Sequence, residues 1–106
     1  MPLESRQPGG GAERATKLPS GISPVGTVLV RFFATALDAV GEPALRMDIA
    51  DDETVGSILD RLTAAYPSLA AQRASLLVAM NYEYVDPSAP LSGGEEIALI
   101  PPVQGG

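Results

Sequence analysis

The chain has no cysteine, no histidine and no tryptophan, and a single lysine, Lys17, among its 106 residues. Without cysteine it forms no disulfide, no thiolate metal site and no cysteine nucleophile. With histidine missing too, a self-contained Ser-His or Cys-His pair or a zinc centre cannot be assembled. No metal site is expected, and a catalytic base or metal used with this protein belongs on a partner. Aromatic residues make up only 5% of the chain, so its core must be built from Val, Ile, Leu, Ala and Met. No apolar run approaches the ~18 residues of a membrane span, and the N-terminal stretch lacks the apolar segment of a secretory signal. The expectation is a cytosolic protein that engages no membrane.

What is present suits one folded domain: 45% hydrophobic and 19% charged residues, an ordinary balance for a globular chain of this length. The formal net charge of −6 is unevenly spread. From residue 27 onward four arginines face eleven carboxylates. Such a surface repels nucleic acid and anionic lipid. It suits a basic protein partner, or simply keeps the domain in solution.

Residues 1–26 hold four of the ten prolines and five of the eleven glycines, including Gly9-Gly10-Gly11. Their apolar residues follow no period, which predicts a disordered tail. No strand precedes the glycine run and no Lys-Ser or Lys-Thr follows it, so it is not a phosphate loop. Thr27–Ala34 is rich in β-branched and aromatic residues and reads as a strand, with Val28, Val30 and Phe32 on one face and Leu29, Arg31 and Phe33 on the other. One helical turn is expected over Ala36–Val40. Ala44–Ile49 alternates as a half-buried strand paired in a hairpin with the first. Val55, Ile58, Leu59, Leu62 and Tyr66 recur at helical spacing behind the N-cap Thr54, with Asp51, Asp52 and Glu53 serving the positive end of the helix dipole and Pro67 stopping the run. Gly56 is a flaw in that helix. Leu76–Met80, a short strand after Asn81 and Glu96–Ile100 complete the pattern.

A hairpin, a crossing helix and a closing strand make an α+β fold of the β-grasp, or ubiquitin-like, kind. It has a mixed sheet of four to five strands and one main helix packed on one face. The right-handed crossover rule lays the last strand parallel to the first, in mid-sheet. One helix leaves the other sheet face uncovered. Leu29 and Phe33 fall there, as a partner-docking surface or as ordinary exposed area. The domain is expected over residues 27–100, followed by a projecting tail over residues 101–106.

That tail reads Pro101-Pro102-Val103-Gln104-Gly105-Gly106. The prolines offer no backbone N–H and fix φ near −65°, so the sheet cannot continue through them. Gly105 and Gly106 carry no Cβ, and a narrow active site can take them in without steric cost. The shape is a stiff base with a slim tip ending in a carboxylate, as though the chain end were itself the reacting group.

From about Val28 to Gly106 the chain resembles the sulfur-carrier small subunits of molybdopterin synthase, members of the ubiquitin-like group. The resemblance is carried by Leu29-Val30-Arg31-Phe32-Phe33-Ala34 and by Leu77-Val78-Ala79-Met80-Asn81. It continues through Pro90-Leu91-Ser92-Gly93-Gly94-Glu95-Glu96-Ile97 and Ile100-Pro101-Pro102-Val103-Gln104-Gly105-Gly106. Gln104 stands where the family usually has Ser or Thr, and Glu95 where Asp is commoner.

The resemblance implies that the carboxylate of Gly106 is activated as a glycyl adenylate by an E1-like, ATP-dependent partner and then converted to a thiocarboxylate (1-thioglycine). It implies that Pro101, Pro102, Val103, Gln104 and Gly105 insert into a pocket of the synthase large subunit. Sulfur then passes to cyclic pyranopterin monophosphate, in molybdenum cofactor biosynthesis. The implied assembly has two small and two large subunits, and the small subunit is a sulfur donor without catalytic groups or a bound cofactor of its own. The tail alone leaves open a sulfur carrier for another product, such as thiamin or thiolated tRNA, and a protein modifier joined to lysines through Gly106.

Overall fold

Side chains that alternate between two faces along β1, β2 and β5 build a five-stranded sheet within residues 15–102, the part of the chain that the computed structural model describes. Strand β1 (Gly26–Phe32) pairs antiparallel with β2 (Ala44–Ile49), with Val28 opposite Met47. The closing strand β5 (Glu96–Ile100) lies parallel to β1, with Val30 opposite Ile97. Its other side pairs antiparallel with β3 (Leu77–Met80), which carries the two-residue edge strand β4 (Glu83–Tyr84). The order β2-β1-β5-β3-β4 places the last strand at the centre, parallel to the first, in a β-grasp arrangement.

Helix α2 (Val55–Ala65) covers the inner face of this sheet. Thr54 and Ser57 cap it reciprocally: Ser57 N donates to Thr54 Oγ1 at 3.2 Å and Thr54 N donates to Ser57 Oγ at 2.9 Å. Such a cap is worth about 1 kcal/mol. Val55, Ile58, Leu59 and Leu62 meet Val28, Val30, Phe32, Met47, Ile49, Ile97 and Leu99 in one buried cluster.

Four local features depart from the sequence-based expectation. The turn after β1 is a seven-residue helix, α1 (Ala34–Val40), closed by Gly41 at φ 85°, whose N–H reaches Leu37 O. Pro67 does not merely end α2; it opens α3 (Pro67–Ala70) at the first helical position, where its missing N–H costs nothing. A 3-10 turn over Arg73–Ser75 then leads to β3. Gly56 is a fitted residue rather than a flaw. Its N–H donates to Pro87 O at 2.7 Å, and a Cβ there would lie 3.1 Å from that oxygen.

The fourth concerns the acids before α2 and the segment before β1. Asp51 and Asp52 are exposed in the turn ahead of the cap, but Glu53 is buried and pairs with Arg61 at 2.8 Å. Ser57 Oγ and Ala50 N also donate to its carboxylate. Glu53 is thus one half of an interior ion pair, not a dipole-complementing surface charge. The same guanidinium donates to Asp48 O at 2.8 Å and to Ala15 O at 2.9 Å. Of the stretch 1–26 read as disordered, residues 1–14 lie outside the described residues. The remainder is mostly exposed but is held to the domain at two points: Ala15 is 1% exposed, and Val25 N donates to Ile49 O at 2.8 Å. The physical reason is Arg61, a partly buried cation that draws in three acceptors, one of them the Ala15 carbonyl.

Candidate functional site

Two features meet at one end of the sheet: the base of the C-terminal tail and the uncovered outer face. The tail base is set by the β1–β5 ladder. Leu29 N donates to Glu95 O at 3.0 Å, and Phe33 N donates to Leu99 O at 3.3 Å. In a parallel ladder the next rung would need an N–H at position 101, and Pro101 has none. Pairing ends there for a covalent reason. Pro101 is half-buried and Pro102 exposed. Val103, Gln104, Gly105 and Gly106 lie outside the described residues. On the neighbouring strand the chain turns sharply into α1 at Ala34, whose φ of 52° is left-handed. Phe33 is held at that corner, beside the point where the tail leaves.

Along β1, β5 and β3, every second side chain points away from α2. Ala98 sits opposite both Arg31 and Ala79. These two small residues hollow the outer face into a depression of about 430 Å³, whose walls are Phe33, Ile100, Tyr82, Tyr84 and the Arg31–Glu96 pair. Arg31 Nε lies 2.5 Å from Glu96 Oε2. Half-exposed, this pair contributes little to stability, but it fixes a polar bar across an otherwise apolar hollow. Tyr82 is 88% exposed, with φ 73° in the β3–β4 turn, and Tyr84 is 71% exposed. A bulky residue in the left-handed region costs of order 1 kcal/mol, which the tight turn imposes. Asn81 holds the turn to β5: its N–H donates to Glu96 O at 2.8 Å, and its Oδ1 accepts from Glu96 N at 3.0 Å.

Of the two residues expected on this face, Phe33 is 43% exposed and lines the hollow. Leu29 lies on the same face but is half-buried, opposite Glu96 and Arg46, and does not line it. Arg31, Ile100, Tyr82 and Tyr84 were not singled out by sequence as a group. The signal that could have found them is the two-residue period extended from β1 to β5 and β3, once the order of strands is known.

The ThiS family profile matches residues 30–106 of this chain. The chain is 33% identical over 94 residues to the molybdopterin synthase sulfur carrier subunit of Arabidopsis thaliana, covering 89% of this chain and 98% of that one. Among solved structures, the small archaeal modifier protein 1 of Haloferax volcanii matches with a TM-score of 0.65 and 28% identity, covering 74% of this chain and 99% of that one. A chain from the protein–protein complex of subunits 1 and 2 of the molybdopterin-converting factor of Helicobacter pylori matches with a TM-score of 0.55 and 28% identity, over 76% of this chain and 99% of that one.

Proposed function

This chain belongs to the ThiS family, and from that premise we propose that it is the sulfur-carrier subunit of a molybdopterin synthase, working through its own C-terminal acyl group. The observation that carries the reading is the extent of the family match, which runs through residue 106 and so includes the Gly-Gly end.

A carboxylate is a poor electrophile. An E1-like adenylating partner that uses ATP converts Gly106 to a glycyl adenylate, and a sulfur donor displaces AMP to leave a thiocarboxylate. Its sulfur is ionised near neutral pH and is the better nucleophile, by the logic that makes a thiolate outperform a thiol. Glycines at positions 105 and 106 let the tip enter a closed pocket on the large subunit. There the sulfur attacks the pterin precursor, cyclic pyranopterin monophosphate. The small subunit supplies cargo and positioning, and the large subunit supplies the acid-base groups that a chain without histidine or cysteine lacks.

The outer face supports docking on that large subunit. Exposed Phe33, Tyr82 and Tyr84 surround a hollow bounded on one side by Ile100, the last residue before the tail. An apolar, aromatic centre with a polar bar has the make-up of an interface core. Docking there fixes the tail base, and a tethered sulfur gains effective concentration in the partner's pocket. The assembly is two small and two large subunits, in the cytosol. Among the described residues no helix is long and apolar enough to cross a membrane.

Reconstitution tests this. Thiocarboxylated chain, large subunit and pterin precursor should yield the dithiolene product, and a chain carrying one residue after Gly106 should yield none while unfolding at the same denaturant concentration. Full product from the extended, unprocessed chain would overturn the reading. The likeness to small archaeal modifier protein 1 supports a second role, transfer of the Gly106 acyl group to amines of other proteins. Amide-linked conjugates formed in place of sulfur transfer would favour it.

A further inference from the structure

We propose that Gln72 is a positioning residue for the C-terminal tail: with Thr35 it forms a clasp across the end of β5, where the tail leaves the sheet. The inference rests on the reading above that Gly106 carries sulfur, and it names what aims that carrier.

Strand order puts β5 between β1 and β3. At the tail end, Leu99 pairs with Phe32 of β1 and Ile100 with Leu77 of β3. On the β1 side the chain turns into α1, and on the β3 side it arrives from α3 through the 3-10 turn. A reciprocal pairing joins these two flanks, between residues 37 apart in sequence. Thr35 Oγ1 donates to Gln72 Oε1 at 3.1 Å, and Gln72 Nε2 donates to Thr35 O at 3.0 Å. Both ends of one amide are used. Glutamate has no donor for the carbonyl, and asparagine is one methylene short.

Both sides of the clasp stand on fixed backbone. Gln72 N donates to Leu69 O at 2.9 Å, and Gln72 O accepts from Ser75 N at 2.9 Å. Leu69 is fully buried, as is Ala36 on α1.

Between the two sides lies a weak rung. Phe33 N donates to Leu99 O at 3.3 Å, longer than the 3.0 Å bond from Leu29 N to Glu95 O. Phe33 O in turn accepts from Ala36 N at 3.0 Å and Leu37 N at 3.3 Å, so the start of α1 and this rung move together. Ala34 is held there at φ 52°, a conformation that persists only where its surroundings impose it. The clasp imposes it from outside the helix. Beyond the rung, Pro101 has no N–H to pair, so the tail inherits its direction from Leu99 and Ile100. Opening the clasp frees α1 at Phe33, loosens the rung and spreads the directions in which the tail leaves. A tethered nucleophile then loses rate even while its domain stays docked.

The test uses the full chain with a thiocarboxylate at Gly106, made by hydrosulfide displacement of thiol from a C-terminal thioester. Single-turnover sulfur transfer to the pterin precursor is followed with the large subunit in saturating excess, and Kd is measured separately by titration calorimetry. Gln72→Leu and Thr35→Val should each slow transfer in the saturated complex about three- to tenfold and leave Kd within about twofold. Gln72→Glu, which keeps the shape but loses the Nε2 donor, should slow it likewise. Thr35→Ser, which keeps the hydroxyl, should transfer at the wild-type rate. Gln72→Leu and Thr35→Val combined should be no slower than the slower single change, since each removes the same clasp. A merely structural role would lower the unfolding midpoint without slowing transfer by the folded, saturated complex. Unchanged rates, a loss confined to Kd, or Thr35→Ser as slow as Thr35→Val would each overturn the proposal. No transfer from the wild-type chain would strike the reading of Gly106 as sulfur carrier and the clasp's role with it, whereas the variant outcomes strike the clasp alone.

Discussion

The two faces of the sheet are built from alternate residues of the same strands, yet they differ in what covers them. On the inner face Val28, Val30, Phe32, Ile97 and Leu99 are at most 2% exposed, closed over by α2. On the outer face Phe33 stays 43% exposed and Tyr84 71%, around a hollow floored by alanines. The contrast separates two uses of apolar surface. The inner face stabilises the fold, and the outer face is available to stabilise a complex.

The ion pairs divide in the same way. Arg61–Glu53 is nearly enclosed, with side chains 19% and 10% exposed, and it organises α2, β2 and the segment before β1. Arg31–Glu96 lies on the outer face at 49% and 28%. Its net contribution to stability is small.

Substitutions on each face can break this contrast. The largest effect is expected from Leu99→Ala on the inner face, a loss of about 3 kcal/mol from transfer and cavity terms, read by urea unfolding. Arg61→Ala should cost about 2 kcal/mol, because the Glu53, Asp48 and Ala15 oxygens lose their charged donor. The same change at Arg31 should cost under about 1 kcal/mol. Phe33→Ala should move unfolding by less than about 0.5 kcal/mol yet weaken binding to the large subunit by about 1–2 kcal/mol, measured by titration calorimetry. Equal stability losses from Leu99→Ala and Phe33→Ala would erase the distinction between the faces.

The smallest effect belongs to neither face. The Ser88 hydroxyl and N–H both donate to Asp86 and hold its carboxyl below the ordinary value. A depressed carboxyl stabilises the fold above its unfolded pKa, near 4, and loses that contribution as pH falls through the lower folded value. Ser88→Ala should raise the Asp86 pKa toward the unfolded value in an NMR titration and slightly flatten stability against pH below about 4.

Much of the fold was legible because short-range pattern and long-range packing agree. Ala44–Ile49 and Glu96–Ile100 are strands over the residues that alternation marks, and Thr54 caps α2 as its side chain suggests. What was not legible depends on contacts with no sequence period. Ala15 is buried because a side chain 46 residues away takes its carbonyl. Gly56 is required by a loop 31 residues further on, and α1 starts at a left-handed Ala34 that no propensity would choose. At the candidate site the stiff tail base could be read from Pro101 and Pro102. The hollow on the outer face could not, since it needs Ala79 and Ala98 brought opposite each other across β3 and β5.

The account rests on Gly106 as an acyl carrier, and intact mass spectrometry tests it most directly. The chain would be incubated with an E1-like adenylating enzyme, ATP, a persulfide sulfur donor and a thiol that reduces the acyl disulfide to the thiocarboxylate. The expected result is a mass gain equal to replacement of one carboxyl oxygen by sulfur, localised to Gly106 and absent when ATP is withheld. A chain whose mass never changes, under conditions in which the same enzyme thiocarboxylates a known carrier, would contradict it.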